Sequence, residues 1–199
     1  MIPVKLQPEP DDFDANVRQK GYKWLNDHDI PLDAPPRIAK DLPRYWAECN
    51  KQLWDAYSGV CAYYAIYFEW ILGASSTDHF IAKSKSAGDA YEWSNYRLCC
   101  MAANRNKRDF DEILDPMTML EHTFCINFGS GMIFPNPHLK PDYQEMAETT
   151  IKKLKLDSRD MNKMRCEQYN LYLKGECSLS FLKSHSPFVY DEMIRHGLA

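Results

Sequence analysis

No stretch of this chain is long and apolar enough to cross a bilayer. The longest apolar run, Val60 to Ala74, is interrupted by Glu69 and falls short of the roughly 20 residues a spanning helix needs. The opening residues, MIPVKLQPEPDDFD, have no apolar core and soon turn acidic, so they do not read as a secretory leader. A cytoplasmic protein without membrane contact is therefore expected. Glycine is scarce at 8 residues, whereas apolar residues make up 45% and aromatics 13%, a balance that excludes disorder and low-complexity sequence. Excess positive charge is also missing: the net charge of −4 gives no chain-wide electrostatic footprint for nucleic acid. Seven cysteines, an odd number in a chain with no leader, read as buried thiols or metal ligands rather than a disulfide framework.

What the chain does carry is concentrated locally. Residues 81–110 hold Lys83, Lys85, Arg97, Arg105, Lys107 and Arg108 against Asp89, Glu92 and Asp109, a basic island on an otherwise acidic protein. These six cations are candidate phosphate contacts, which would position a nucleic acid without reading its sequence; a solvated charged face is the plainer alternative. At 199 residues the chain suits one domain, with no repeat and no composition break to divide residues 1–199.

Periodicity and punctuation predict mostly helices around a short β region. Asp11 or Asp12 is placed to cap a helix running to about Leu25, and Pro43 opens a second in which Tyr45, Trp46, Cys49, Leu53, Trp54 and Tyr57 recur at helical spacing. The segment from Ser58 to Phe80 is ambiguous between strand and buried helix until Ser75, where a short strand is expected. A loop with Tyr91 and Trp93 as anchors follows, and then a short helix from about Leu98 to Arg108. TFCINFGSGMIFPNP predicts a β-hairpin about Gly129-Ser130-Gly131, a helix should follow from Asp142, and two or three more from Ser158, Ser178 and Pro187.

The chemistry is expected in Ser76 to Asp109. Phosphodiester hydrolysis needs an activated water and stabilisation of charge on the phosphate and the leaving oxygen. A hard divalent cation held by one carboxylate and one amide oxygen, here Asp78 and Asn104, would meet the last two needs. His79, beside that carboxylate, is the one histidine of six placed to take a proton from water. Asn106 rivals Asn104, but residues two apart on a helix point in opposed directions, so only one of them should face a metal. Asn95 after Trp-Ser also suits a turn closed through its side chain.

STDHF, AYEWSN and NRNK resemble the His-Asn-His (HNH) endonucleases. That resemblance implies an α+β fold: a small ββα-metal core at about residues 57–110 with a β-hairpin, surrounded by helical N- and C-terminal extensions. It implies His79 as general base, Asn95 as the brace of the loop within the catalytic motif, and Asp78 with Asn104 on Mg²⁺ or Mn²⁺. The expected activity is one-metal hydrolysis of DNA, with RNA as the less favoured substrate. PRYW, DAYSGVCAY, RDFDEILDP, IFPNP and ETTIKKLKL are similar to a longer bacterial subgroup that includes Septu-type anti-phage nucleases, some of which act with an ATPase partner. Many members carry a structural zinc in two Cys-x-x-Cys pairs, whereas here the pairs read Cys61-Ala-Tyr-Tyr64 and Cys100-Met-Ala-Ala103. Cys61 and Cys100 could hold only a residual structural metal, and a tetrahedral zinc is not expected. A degenerate module that binds nucleic acid or a partner without cleaving it is the alternative from another class.

Overall fold

The computed structural model describes residues Met1–Ala199. The fold is mixed α+β, with seven α-helices and two separate antiparallel two-stranded sheets. No helix is long and apolar enough to cross a membrane.

A π-helical turn at Asp14–Arg18 leads into α1, Gln19–Asp27. Asp12 does not cap it. Its carboxylate accepts from the side chains of Asn16 and Gln52 instead, at 3.0 and 2.8 Å. A 3₁₀ turn at Tyr45–Ala47 precedes α2, Asn50–Ala56, and Trp46, Cys49 and Leu53 form the buried face of that segment.

The ambiguous apolar run from Ser58 resolves into a reversal closed by an isolated Val60–Tyr67 bridge, followed by a 3₁₀ turn at Trp70–Leu72. In the reversal the Cys61 N–H donates to the Ile66 carbonyl, the Ala65 N–H to the Cys61 carbonyl and the Tyr64 N–H to Cys61 Sγ at 3.4 Å. Ala65 adopts φ 50° to close the turn. Hydrophobicity here reflects burial of an irregular segment, not a repeating element.

β1, Ser75–His79, then pairs antiparallel with β2, Tyr96–Cys100, in a register from Ser75 opposite Cys100 to His79 opposite Tyr96. Every residue of β2 is buried. The helix expected from Leu98 begins only after it, as α3, Met101–Lys107, so Leu98 to Cys100 correct from helix to strand. A strand buried on both faces shows no alternation to betray it.

The predicted hairpin is present as β3, Phe124–Ile126, and β4, Ile133–Pro135. Gly131 is required in its turn: φ is 71°, and a Cβ there would lie 1.9 Å from the Asn162 carbonyl oxygen. The four later helices are α4, Pro141–Leu154; α5, Arg159–Leu173; α6, Leu179–His185; and α7, Pro187–Arg195. Ser158 and Ser178 cap α5 and α6 by accepting from the N–H groups of Met161 and Phe181. One hydrophobic cluster runs through the whole chain, taking in Phe13, Leu53, Tyr63, Tyr96, Leu98, Leu154 and Met193. The β1–β2–α3 unit is wedged among these helices, and that packing fixes the candidate site.

Candidate functional site

A cavity of about 490 Å³ opens where β1 ends, and Ser76, Thr77, Asp78, His79, Lys83, Asn104 and Arg108 all line it. Three of the four motif residues singled out in the sequence therefore share one wall. The fourth, Asn95, holds the loop that follows β1.

His79 is held on several sides. Its Nε2 lies 3.0 Å from the Ala90 carbonyl oxygen, which also accepts from the Tyr96 hydroxyl at 2.8 Å. A carbonyl only accepts, so Nε2 carries the ring hydrogen and Nδ1 keeps its lone pair. The edges of Trp46 and Tyr96 meet the ring at centroid distances of 4.8 and 5.2 Å and leave it little freedom to turn. Burial holds the imidazole down at about 3, and the nearby Lys83 and Lys107 cations push the same way, so the ring is neutral at physiological pH.

Asp78 is the complementary group. Its side chain is buried, and Oδ2 accepts from the Tyr63 hydroxyl at 2.6 Å, while no donor of the chain bonds Oδ1. Burial pushes the carboxyl up to about 6, opposed by Lys107 and by the Tyr63 hydrogen bond, so it is mostly ionised at neutral pH. Asn104 comes from α3, one turn before Lys107 on the same face, and its Nδ2 donates to Ser76 Oγ at 2.6 Å. That bond leaves the amide oxygen of Asn104 free of protein donors. Asn106 faces elsewhere and donates to the Tyr64 hydroxyl at 2.8 Å and to the Leu154 carbonyl. Of the two rival asparagines, Asn104 is the one on the cavity.

Asn95 is saturated. Its Oδ1 accepts from the Ile81 N–H at 2.7 Å, and Nδ2 donates to the carbonyls of Ile81 and Asp89 at 3.0 and 2.8 Å. The side chain thus ties the start of the loop to its middle, which delivers the Ala90 carbonyl to His79.

The six candidate phosphate contacts divide. Lys83 lines the cavity, half-buried, with its ammonium 5.3 Å from the Trp46 ring centroid. Arg108 also lines the cavity, and Arg105 is exposed. Lys85 is exposed but paired with Asp111. Arg97 and Lys107 are corrected, because neither is accessible to a nucleic acid. Arg97 is buried in a two-pronged bond to Asp115 at 2.8 and 2.6 Å. Lys107 has no exposed surface and donates to the carbonyls of His79 and Phe80 at 3.0 and 2.8 Å, so it acts as a strut for the end of β1. Sequence reasoning missed Lys40 and Arg44, which reach the cavity from the segment before α2. It also missed the Tyr63 hydroxyl. Only the tertiary fold brings these groups in.

Cys61 and Cys100 are buried neighbours, their thiols within hydrogen-bonding reach. Burial pushes the Cys61 thiol up. The nearness of the Cys61 thiol, aided by the N–H groups of Ala102 and Ala103 at the start of α3, pulls Cys100 down. Cys99 points the other way, toward the Ser76 carbonyl. Tyr64 and Ala103, three residues after Cys61 and Cys100, are both buried, and no group of three or more His, Cys, Asp or Glu side chains is placed to hold a metal ion.

Comparison with family models and with curated proteins returned no match to this chain. Its chemistry is therefore judged from its own groups. Two hard oxygen donors on one cavity, one of them a carboxylate with an unpartnered oxygen, suit a cation that retains most of its waters, as Mg²⁺ does; they would not make a cage for zinc.

Proposed function

We propose that this chain is a divalent-metal-dependent endonuclease of the HNH type that hydrolyses phosphodiester bonds in DNA. The single observation that carries this is the setting of His79: its Nε2 lies 3.0 Å from the Ala90 carbonyl oxygen, and the residue lines the cavity shared with Asp78 and Asn104. A neutral imidazole fixed in that way keeps a lone pair able to accept a proton at physiological pH. The antiparallel β1–β2 pair followed directly by α3 supports assignment to a ββα-metal core.

In this mechanism His79 takes a proton from the attacking water. Asp78 and Asn104 would hold the cation through their side-chain oxygens. Such a cation, when bound, stabilises charge on the phosphate and on the departing 3′ oxygen. Lys83 and Arg108 meet the phosphate's remaining charge, Lys107 and Asn95 keep the strand end and loop in place, and Tyr63 keeps Asp78 ionised.

The test is cleavage of supercoiled plasmid in Mg²⁺ or Mn²⁺ by the wild type and by His79→Ala. The variant should fold normally and lose about 10²- to 10⁴-fold in rate, the range expected for a general base. Undiminished cleavage by the variant would sink the assignment, and digestion of RNA alone would defeat the choice of DNA.

A further inference from the structure

A second cavity, of about 450 Å³, lies on the far side of Arg108 from the candidate catalytic one. Its walls come from the end of α3 and the end of α4. Arg108, Lys152, Lys153 and Lys155 line it with Asn106 and Phe110, and no acidic side chain does. On a chain of net charge −4, four cations around one hollow is a marked local excess. Only Lys153 has an acidic partner, Glu112 at 3.6 Å, which is itself exposed; the same ammonium sits 4.0 Å from the Phe110 ring centroid.

Lysines near a helix C-terminus are ordinary, because they complement its dipole. Two features here exceed that need. Lys155 occupies the left-handed residue that ends α4, with φ 54°, while the Leu156 N–H closes back to the Ile151 carbonyl at 2.9 Å. Glycine is the favoured residue at such a position, since any Cβ is strained there. Arg108 also has a positive φ, 51°, with ψ −126°. Two cations thus stand on backbone positions that disfavour side chains, and both face the same hollow.

Arg108 lines both cavities and so joins the hollow at the end of α4 to the one beside His79 and Asp78, where Asp109 stands next to it. We propose that the α3–α4 hollow is a seat for the DNA phosphate backbone beside the scissile bond, joined to the cleavage cavity through Arg108. This inference rests on the endonuclease reading of that cavity. A nucleic acid fits better than an isolated anion because the cations form a path between two hollows instead of converging on one point. Contacts of this type hold the strand in register without reading bases.

The test uses the full chain carrying Lys152→Ala with Lys155→Gly, in chelator so that nothing is cleaved. Binding of a short fluorescein-labelled DNA duplex is followed by anisotropy over a series of salt concentrations. The double variant should bind on the order of tenfold more weakly at about 0.1 M salt, and the slope of log affinity against log salt should fall by about two. Its melting temperature should not drop, because glycine relieves the strain at position 155; lost binding then cannot come from unfolding. Unchanged affinity and slope would overturn the proposal, as would a wild type that does not bind DNA. Lysine-dependent binding to phosphatidylglycerol vesicles without DNA binding would overturn it in favour of a membrane surface. Plasmid cleavage is scored separately: DNA binding that depends on these lysines, with no cleavage by the wild type, keeps the phosphate seat and removes the nuclease.

Discussion

Lys107 Nζ lies 3.9 Å from Asp78 Oδ2, and both side chains are out of solvent. The lysine also supplies the hydrogen bonds for the carbonyls of His79 and Phe80. Lys107→Met keeps the length of the chain but strands a buried carboxylate and leaves two carbonyls without that donor. Its loss should cost about 3 kcal/mol of stability, near the lower end of the range for breaking a buried charged pair. Urea unfolding with an unchanged m-value is the check.

Asn95 gives the sharpest contrast between shape and hydrogen bonding. Asn95→Asp is isosteric, yet it turns two donors into lone pairs aimed at the carbonyls of Ile81 and Asp89. It should destabilise the fold at least as much as Asn95→Ala, by about 1–3 kcal/mol. Both should lower kcat, because the loop carries the Ala90 carbonyl that fixes the His79 tautomer. Thermal melts and plasmid cleavage of the two variants, side by side, decide this.

The pH dependence of stability should reveal two opposed groups. Burial lifts Asp78 from 3.8 to about 6, so the folded state binds that proton more tightly than the unfolded chain does. The resulting stabilisation is complete below pH about 4 and is lost as pH rises through about 6. His79 is lowered from 6.5 to about 3, so its contribution is complete above pH about 6.5 and is lost as pH falls toward about 3. Between pH about 4 and 6 each contributes a slope of about 1.4 kcal/mol per pH unit, with opposite sign. In chelator, Asp78→Asn should therefore melt at lower temperature on acidification, and His79→Ala at higher temperature. Parallel profiles for the two variants would show that the shifts are misassigned.

Asn104 and Asn106 separate the cavity from its surroundings. Asn104→Ala should weaken Mn²⁺ binding by at least about tenfold, whereas Asn106→Ala, which loses bonds to Tyr64 and the Leu154 carbonyl, should leave it unchanged. Isothermal titration of each variant measures the difference.

Much of the cavity wall was legible because its residues lie close in sequence. Asp78 and His79 are adjacent, and the opposed directions of residues two apart on a helix meant that only one of Asn104 and Asn106 could face the metal. The helices after residue 140 were legible from caps and periodicity, since α4 to α7 carry exposed faces. Illegibility came from burial. β2 is enclosed on both faces and merged with α3 in composition, and the stretch Cys61–Ala65 is apolar because it is enclosed, not because it repeats. Lys107 was misjudged for a related reason: a lysine within a basic run looks like surface until the fold shows two carbonyls and a carboxylate around it. Lys40 and Arg44, far from the motif in sequence, left no local signal of their approach to the cavity.

The reversal at Cys61–Ala65 closes through backbone hydrogen bonds, with Tyr64 and Ala103 both buried. Its closure draws on groups already present in the chain, so on the proposed endonuclease reading folding and the onset of cleavage are separable in time. Protein and plasmid can be mixed and equilibrated in chelator, then started together by one addition of Mg²⁺. The first turnover would then report the chemical step without a refolding phase ahead of it.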